Sequence, residues 1–257
     1  MTPRLLVVQP DALAPLDRWA EWLADGGVSV RVVRPFAGER LPDALDDGDG
    51  GLVVLGGSMG VGDDRDHPWL GEVRRLLRQA VERSRPTLGI CLGGQLLAQT
   101  FGGSVVTGDR GLETGAVRIR WRPEAQADPL LAGLAAPFVT AAFHRDMISG
   151  LPDGSVWLGR SDLYPHQAFR LGPCAWGVQF HPETSLASYR RWVADSAGSD
   201  AADLARLRHG VEEMERLEAD IATANAALAR RFADLLRTHR RQGRIVAGFE
   251  ARRPSAR

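Results

Sequence analysis

The chain has no lysine, since all 32 of its basic residues are arginine, and 32 acidic residues balance them. Without lysine it cannot supply the lysine of a Walker phosphate-binding loop, of a Schiff base or of a lysine general base. A net charge of zero gives no electrostatic basis for binding nucleic acid or a membrane surface. Several enzyme classes and two classes of partner are therefore disfavoured at the outset.

Cysteine is also scarce, with only Cys91 and Cys174 in 257 residues. Two cysteines are too few for a disulfide framework or a cysteine-rich zinc site, so a reduced, cytoplasmic setting is expected. Apolar runs such as residues 5–8 fall far short of the roughly 20 residues that a membrane span requires. The first residues also lack the basic start and long apolar stretch of a signal peptide.

Hydrophobic periodicity in the first half alternates between strand-like and helical patterns, which predicts parallel strands joined by crossover helices. The expected fold is therefore α/β, with an open, mostly parallel central sheet and flanking helices. Predicted strands cover residues 5–8, 28–33, 51–55 and 87–90, and predicted helices cover residues 12–24, 69–83 and 94–101. Shorter strand-like pieces follow at residues 116–121, 138–143, 155–159 and 175–180.

A change of composition at residues 196–199 (Ser-Ala-Gly-Ser) marks the predicted end of the main domain, which spans residues 1–195. Apolar residues then recur every three or four positions, which predicts a helical extension over residues 196–238, either one helix or two with a break at Gly210. An arginine-rich tail, residues 239–257, is expected to be loose. The apolar stripe either packs back on the main domain or forms a dimer or partner interface.

Residues 89–93 (Gly-Ile-Cys-Leu-Gly) carry the most informative motif, because they lie between a predicted strand and a predicted helix. A side chain presented on such a turn needs small neighbours, and its backbone lies in a region that few residues tolerate. The same device presents the nucleophile of many hydrolases. Cys91 is therefore the candidate nucleophile.

A thiol nucleophile needs a base, and the best candidate is His181, at the end of a predicted strand. Glu183 follows two residues later, so in extended backbone it faces the same side and can orient the imidazole. Backbone amides at Leu92 and in the Gly56-Gly57 turn are candidate donors to an oxyanion. Together these groups form the triad arrangement that carries out acyl transfer.

Three segments together resemble the class I, triad-type glutamine amidotransferases, and in particular stand-alone forms similar to the glutaminase domain of GMP synthase. They are residues 89–97 (Gly-Ile-Cys-Leu-Gly-Gly-Gln-Leu-Leu), the Gly56-Gly57 turn, and residues 177–183 (Gly-Val-Gln-Phe-His-Pro-Glu). The resemblance covers about residues 1–195. It implies a flavodoxin-like core and a site that needs no cofactor.

The resemblance also implies a reaction. Cys91 would attack the side-chain amide of glutamine, releasing ammonia and leaving a glutamyl thioester that water resolves to glutamate. His181 would transfer the protons, and Glu183 would orient the His181 imidazole. The amides of Gly57 and Leu92 would bind the oxyanion. Two further positions are implied in substrate binding, namely Gln95 and His144.

Two departures from the family pattern bear on this expectation. Gly94 stands where relatives often carry a larger residue, which could enlarge the glutamine pocket, and the sequence shows no synthase domain to receive ammonia. A separate synthase subunit is one expected partner. Two alternatives stay open: hydrolysis of another γ-glutamyl amide or conjugate, and a non-enzymatic glutamine-binding or scaffold protein.

Other polar residues have simpler interpretations. The acidic loop with Asp63, Asp64, Asp66 and His67 is more typical of turn chemistry than of a metal site, so no metal is predicted. Cys174 is expected in the core. For His144 a structural hydrogen-bonding role competes with substrate binding.

Overall fold

The computed structural model describes residues 2–46, 48–196 and 198–250, of which 240–250 are described as helical backbone only. Strands and helices alternate in the first half of this part of the chain, and three helices end it. The elements are β1 (Arg4–Val8), α1 (Arg18–Asp25), β2 (Ser29–Val33), β3 (Asp49–Val54), α2 (Leu70–Glu82), β4 (Thr87–Ile90), α3 (Leu92–Thr100), β5 (Ser104–Thr107), β6 (Glu113–Trp121), β7 (Phe138–His144), β8 (Asp146–Gly150), β9 (Val156–Arg160), β10 (Ala168–Leu171), β11 (Ala175–Val178), α4 (Leu186–Asp195), α5 (Ala201–Arg216) and α6 (Glu218–Glu250).

Nine strands form one central sheet in the order β2-β1-β3-β4-β11-β10-β9-β6-β7, and β5 pairs with β8 separately. The neighbours from β2 to β11 are parallel, whereas those from β11 to β7 are antiparallel. The prediction of an α/β fold with an open central sheet and flanking helices is confirmed, and the sheet is mixed in direction. Its parallel half has continuous apolar strands because helices cover both faces.

Alternation along β1 divides the core into two layers. Leu5 and Val7 pack on the face that carries α1 and α6, whereas Leu6 and Val8 pack on the face that carries α2 and α3. All four side chains are fully buried. Successive side chains of a strand point to opposite faces, so one short apolar run supplies both layers.

Helix α1 begins at Arg18, six residues after the predicted start at residue 12. Asp17 has φ of 44°, a conformation that an α-helix cannot continue. The Asp17 carboxylate accepts hydrogen bonds from the amide and the hydroxyl of Ser185, at 2.8 and 2.7 Å. The helix-like spacing of Leu13 and Leu16 therefore belongs to a loop that this contact holds against the core.

The predicted break at Gly210 is wrong, because α5 runs through this residue and ends at Arg216. Gly210 instead allows helix and sheet to approach closely. A Cβ at this position would collide with the Tyr189 hydroxyl and would lie 3.1 Å from the Cα of Gly115 in β6. Glycine is thus required here for packing and not for ending the helix.

The C-terminal helices share the main core. Leu228, Phe232 and Leu236 of α6 are fully buried with α1 and β1, and Met214 of α5 packs with Tyr189 of α4. The apolar stripe thus packs back on its own chain. The tail predicted to be loose is helical as far as Glu250, because single glycines weaken a helix without ending it, and residues 251–257 lie outside the described part.

No helix in the described ranges is both long enough and apolar enough to cross a bilayer.

The sequence reasoning missed α4, a short helix that starts with the Ser185 side chain accepting a hydrogen bond from the Ser188 amide. This helix lies directly after His181 and Glu183 in the chain. Its position makes it part of the surroundings of the candidate site.

We expect Gly210→Ala to lower the free energy of unfolding by about 1–3 kcal/mol, because the added methyl overpacks the contact between α5 and β6. The matched control is Gly71→Ala in α2, where the glycine is exposed and the nearest atom to an added Cβ is 3.9 Å away. That change should raise stability by up to about 1 kcal/mol through helix propensity alone. Denaturant unfolding measures both, and equal effects would contradict the packing role of Gly210.

Candidate active site

Cys91 lies on the sharp turn between β4 and α3, with φ of 50° and ψ of −109°. Such a conformation is strained for any residue other than glycine and persists only where surrounding contacts fix it. The Cys91 amide donates to the Val178 carbonyl at 2.8 Å, and the Cys91 carbonyl accepts from the Gln95 amide at 2.9 Å. A side chain at Gly93 would collide with the Val54 carbonyl, so the glycines of the motif permit this tight turn.

His181 and Glu183 follow β11 and lie side by side. The Nδ1 atom of His181 is 2.8 Å from Oε1 of Glu183, and both side chains are buried. Backbone hydrogen bonds fix the segment: the His181 amide donates to the Ala141 carbonyl at 2.7 Å, and the Arg18 amide donates to the Glu183 carbonyl at 3.2 Å. The pairing expected from their spacing of two residues is present.

The His181 ring also lies next to Cys91, since a Cβ built at Gly56 would be near both side chains. Burial lowers the pKa of His181, but the charges and hydrogen bonds of Glu183 and Cys91 outweigh burial and raise that pKa from 6.5 to about 10. His181 is then charged at neutral pH. A neighbouring imidazolium favours the thiolate form that makes cysteine a nucleophile.

Glycine is required beside this pair as well. A Cβ at Gly56 would lie 2.8 Å from Cε1 of His181 and 3.5 Å from Cβ of Cys91. The amides of the next residue, Gly57, and of Leu92 donate no hydrogen bond to any residue within the described ranges. Both amides therefore remain candidate oxyanion donors, and that of Leu92 lies at the positive end of α3.

These groups border a cavity of about 360 Å³, a volume suited to a small substrate. Cys91 and His181 lie on its wall together with Gly57, Gln95 and His144, all predicted from the sequence. Leu92 and Glu183 lie behind the wall and are buried. The lining also includes Asp11, Leu13, Ser58, Met59, Phe143, Arg145, Asp146, Trp192 and Asp195.

Gln95 acts on the site through a neighbour that the sequence reasoning missed. Its Nε2 donates to the Asp146 carbonyl at 3.0 Å and to Oε1 of Gln179 at 3.2 Å. Gln179 in turn donates through Nε2 to the sulfur of Cys91 at 3.6 Å. Gln179 stands two residues before His181, so the alternation of extended backbone could have placed it on the same side.

His144 makes hydrogen bonds of the kind expected for a structural role, and it also lies on the cavity wall. Its Nδ1 is 2.9 Å from the Asp146 carbonyl and its Nε2 is 2.8 Å from Oε2 of Glu113. Both ring nitrogens are thus engaged within the protein. The ring fixes the backbone at Asp146, whose carbonyl also receives Gln95, and so shapes the cavity wall.

Trp192 of α4 is a second neighbour that the sequence reasoning missed. Its ring centroid lies 4.7 Å from that of His181, and its indole nitrogen donates to the Leu13 carbonyl at 2.6 Å. A large flat side chain held in this way restricts the position of the imidazole. Only the local helical pattern of residues 186–195 could have indicated this residue, and that pattern does not show which side chain reaches the site.

The remaining candidates lie outside the site chemistry. Burial raises the pKa of the Cys174 thiol to about 11, and its sulfur donates to the Ser84 carbonyl, so this thiol is unreactive at neutral pH. Asp63 accepts from the Gly60 amide in a turn, and Asp64 binds the Arg74 guanidinium. Gly94 faces the Val178 carbonyl, 2.7 Å from a Cβ built there, so its small size serves packing and does not enlarge the cavity.

The sequence of this chain is similar to those of known proteins. The sequence profile described as glutamine amidotransferase class-I matches residues 19–196. A putative glutamine amidotransferase-like protein YfeJ from Salmonella typhimurium is 32% identical over 69% of this chain and 74% of its own. A glutamine-hydrolyzing GMP synthase subunit from Haloquadratum walsbyi is 34% identical over 63% of this chain and 80% of its own.

Matches to three longer GMP synthases cover only 26–28% of those proteins. Among solved structures, a glutamine amidotransferase from Thermotoga maritima superposes with a TM-score of 0.79 at 24% identity. The superposition covers 91% of this chain and 99% of that one. This last likeness extends the shared fold beyond the matched residues 19–196.

The raised pKa of His181 predicts a pH dependence of stability. Because the folded state binds this proton more tightly than the unfolded state, the stabilisation is complete below pH 6.5 and is lost as the pH rises toward about 10. Glu183→Gln removes the carboxylate charge that contributes most to raising this pKa. Denaturant unfolding between pH 6 and pH 10 should therefore show a shallower decline in the variant. The control is Glu21→Gln, an exposed change in α1, which should show the same loss of stability with pH as the unaltered protein. If Glu183→Gln also showed that loss, the coupling between Glu183 and the pKa of His181 would be refuted.

Proposed function

This chain belongs to the class I glutamine amidotransferase family, and on that premise we propose that it hydrolyses the side-chain amide of glutamine to glutamate and ammonia. One observation carries the proposal: Cys91, on a strained turn beside the cavity, lies next to His181, which is paired with Glu183. Nucleophile, base and orienting carboxylate are thus in contact in the order that acyl transfer requires.

In the proposed mechanism the Cys91 sulfur attacks the side-chain carbonyl carbon of glutamine. The amides of Gly57 and Leu92 stabilise the negative charge that develops on the carbonyl oxygen. His181 donates its proton to the departing nitrogen, which leaves as ammonia, and a glutamyl thioester forms on Cys91. His181 then takes a proton from water, and the resulting hydroxide attacks the thioester to release glutamate and the thiolate.

The roles of Glu183 and Gln179 follow from their contacts. Glu183 accepts from Nδ1 of His181, which directs the other ring nitrogen toward Cys91 and stabilises the imidazolium between proton transfers. Gln179 donates to the Cys91 sulfur and thereby favours its anionic form. Gln95 and His144 hold the surrounding wall in place, and Asp146 offers a carboxylate in the cavity to the α-ammonium group of the substrate.

The use of the ammonia is the next part of the proposal. The Haloquadratum walsbyi relative is named as one subunit of a GMP synthase, and the match to longer GMP synthases covers about a quarter of their length. We infer that a separate synthase subunit receives the ammonia, because this product needs an electrophilic co-substrate that a glutaminase site does not itself bind. Hydrolysis of a larger γ-glutamyl amide by the same triad is the competing function, distinguished by substrate preference.

Cys91→Ala should lower glutaminase activity at least about 1,000-fold, because loss of the nucleophile removes the covalent route. Glutamate and ammonia formed from glutamine are the quantities to measure. The matched control is Cys174→Ala, which removes the other thiol at a site distant from this chemistry and should leave kcat within twofold. Retention of activity by Cys91→Ala would exclude the nucleophile assignment.

A panel of γ-glutamyl amides tests the substrate. Glutamine should be preferred in kcat/KM by about 10-fold or more over N-substituted amides, because the cavity is small and the leaving nitrogen lies close to His181. A reversed preference would favour the conjugate hydrolase instead. A glutamine-like electrophile that fails to label Cys91 would point to the non-enzymatic alternative.

A further inference from the structure

Asn225 of α6 is an unusual residue for a protein core. It is fully buried, and neither its Oδ1 nor its Nδ2 has a hydrogen-bond partner among the described residues. A buried carboxamide without partners is costly, because it has exchanged water for apolar surroundings. Apolar side chains occupy the other buried positions of this helix between residues 218 and 239, so an apolar side chain would suit this position too. The polar side chain at residue 225 therefore indicates a specific hydrogen-bond partner.

Two contacts of α6, one on each side of Asn225, reach residues that bind the segment with His181 and Glu183. Near the start of the helix, Glu218 binds Arg18, whose amide donates to the Glu183 carbonyl. Farther along, the Phe232 ring lies 6.0 Å from the Trp19 ring, and the Trp19 indole donates to the Pro182 carbonyl. Asn225 stands midway between these two contacts, about 10 Å along the helix from each.

The inward face of α6 leads to the same region. Ile221 and Leu228 lie on the face that carries Asn225, and both are buried. Leu228 packs in one cluster with Phe138 of β7, which lies on the same face of that strand as Thr140. β7 packs directly against α6, and its Ala141 carbonyl accepts the His181 amide. The carboxamide therefore faces the strand that binds the backbone of His181.

Two more buried polar atoms in this region have no partner within the described ranges. One is Oε2 of Glu183, the carboxylate oxygen that does not bind His181, and the other is the Thr140 hydroxyl, next to Ala141 on β7. An amide, a hydroxyl and a carboxylate oxygen form a complementary set of donors and acceptors. A buried water makes about three hydrogen bonds to such groups.

We propose that Asn225 is a positioning residue for the triad, and that with Thr140 it holds a buried water that donates a hydrogen bond to Oε2 of Glu183. The water fixes the rotation of the carboxylate, so that Oε1 stays directed at Nδ1 of His181. This inference rests on the proposed role of Glu183. It assigns a part in the site to α6, which lies outside the matched residues 19–196.

The charged groups around Glu183 leave Oε2 to this water. His181 and Cys91 lie on the Oε1 side. Arg18 is paired with Glu218, and the Asp17 carboxylate is bound to Ser185, so neither charge is directed at Oε2. Loss of the water would therefore remove the hydrogen bond to that oxygen and let the carboxylate rotate away from Nδ1 of His181.

Asn225→Leu in the full chain tests the proposal. The variant should fold, since leucine suits the apolar surroundings, but kcat should fall about tenfold, as expected when an outer hydrogen-bond partner of a site residue is removed. KM should stay within twofold. The alkaline limb of the kcat–pH profile should move to lower pH, because a Glu183 carboxylate that is held less firmly raises the pKa of His181 less. An unchanged kcat and an unchanged alkaline limb would overturn the proposal.

Matched variants separate positioning from packing. Ile221→Val trims the same helix face without touching a polar atom, so it should lower stability and keep the pH profile of the unaltered protein. Asn225→Ser keeps a group that can hold the water and should restore most of kcat. Should Asn225→Leu fail to fold, Thr140→Val removes only the hydroxyl and should give the same shift of the alkaline limb.

A measurement that does not depend on activity keeps this inference separate from the proposed function. In protein labelled with ¹⁵N-histidine, the His181 resonances are assigned by their loss in His181→Asn. Their shifts and titration should change in Asn225→Leu and Thr140→Val but not in Ile221→Val. Absence of glutaminase activity in the unaltered chain would refute the proposed function, whereas unchanged His181 resonances in both polar variants would refute the positioning role.

Discussion

The strained backbone of Cys91 is the constraint on which the rest of the site depends. A φ of 50° at a residue with a side chain persists only because the turn is held between two parallel strands, β3 and β11. The Cys91 amide is bonded to Val178 on one side, and Gly93 contacts Val54 on the other. The strand order β3-β4-β11 is therefore necessary for the reactive geometry of Cys91. A different strand on either side of β4 would leave the turn without these contacts.

The second constraint is electrostatic, because the site buries an imidazole at its cavity wall and a carboxylate behind it. Such a pair is stable only when geometry and hydrogen bonds compensate for lost hydration. Glu183 supplies the charge, Ala141 and Arg18 fix the backbone, and Trp192 limits the ring. These supports come from β7, α1 and α4, so elements distant in sequence combine to keep His181 charged and in contact with Cys91.

Local sequence patterns made much of the candidate site predictable. A glycine-flanked cysteine between strand and helix, and a histidine and glutamate two residues apart, are defined by short-range geometry. The missed features depend on long-range packing: Trp192 reaches His181 from a helix whose pattern gives no direction, and Gly210 serves an approach between α5 and β6. Helix α1 was predicted too long because a contact from Ser185 fixes Asp17 outside helical backbone.

The C-terminal helices illustrate why a boundary in composition is not a boundary in structure. Their apolar residues complete the core on the α1 face, and Asp203 of α5 binds Arg145 at the cavity wall. A change of composition marks where the elements change type, whereas a domain boundary requires that few contacts cross it. Here the contacts that cross residue 196 reach both the core and the site. The support of the triad thus extends into a part of the chain that the family match does not include.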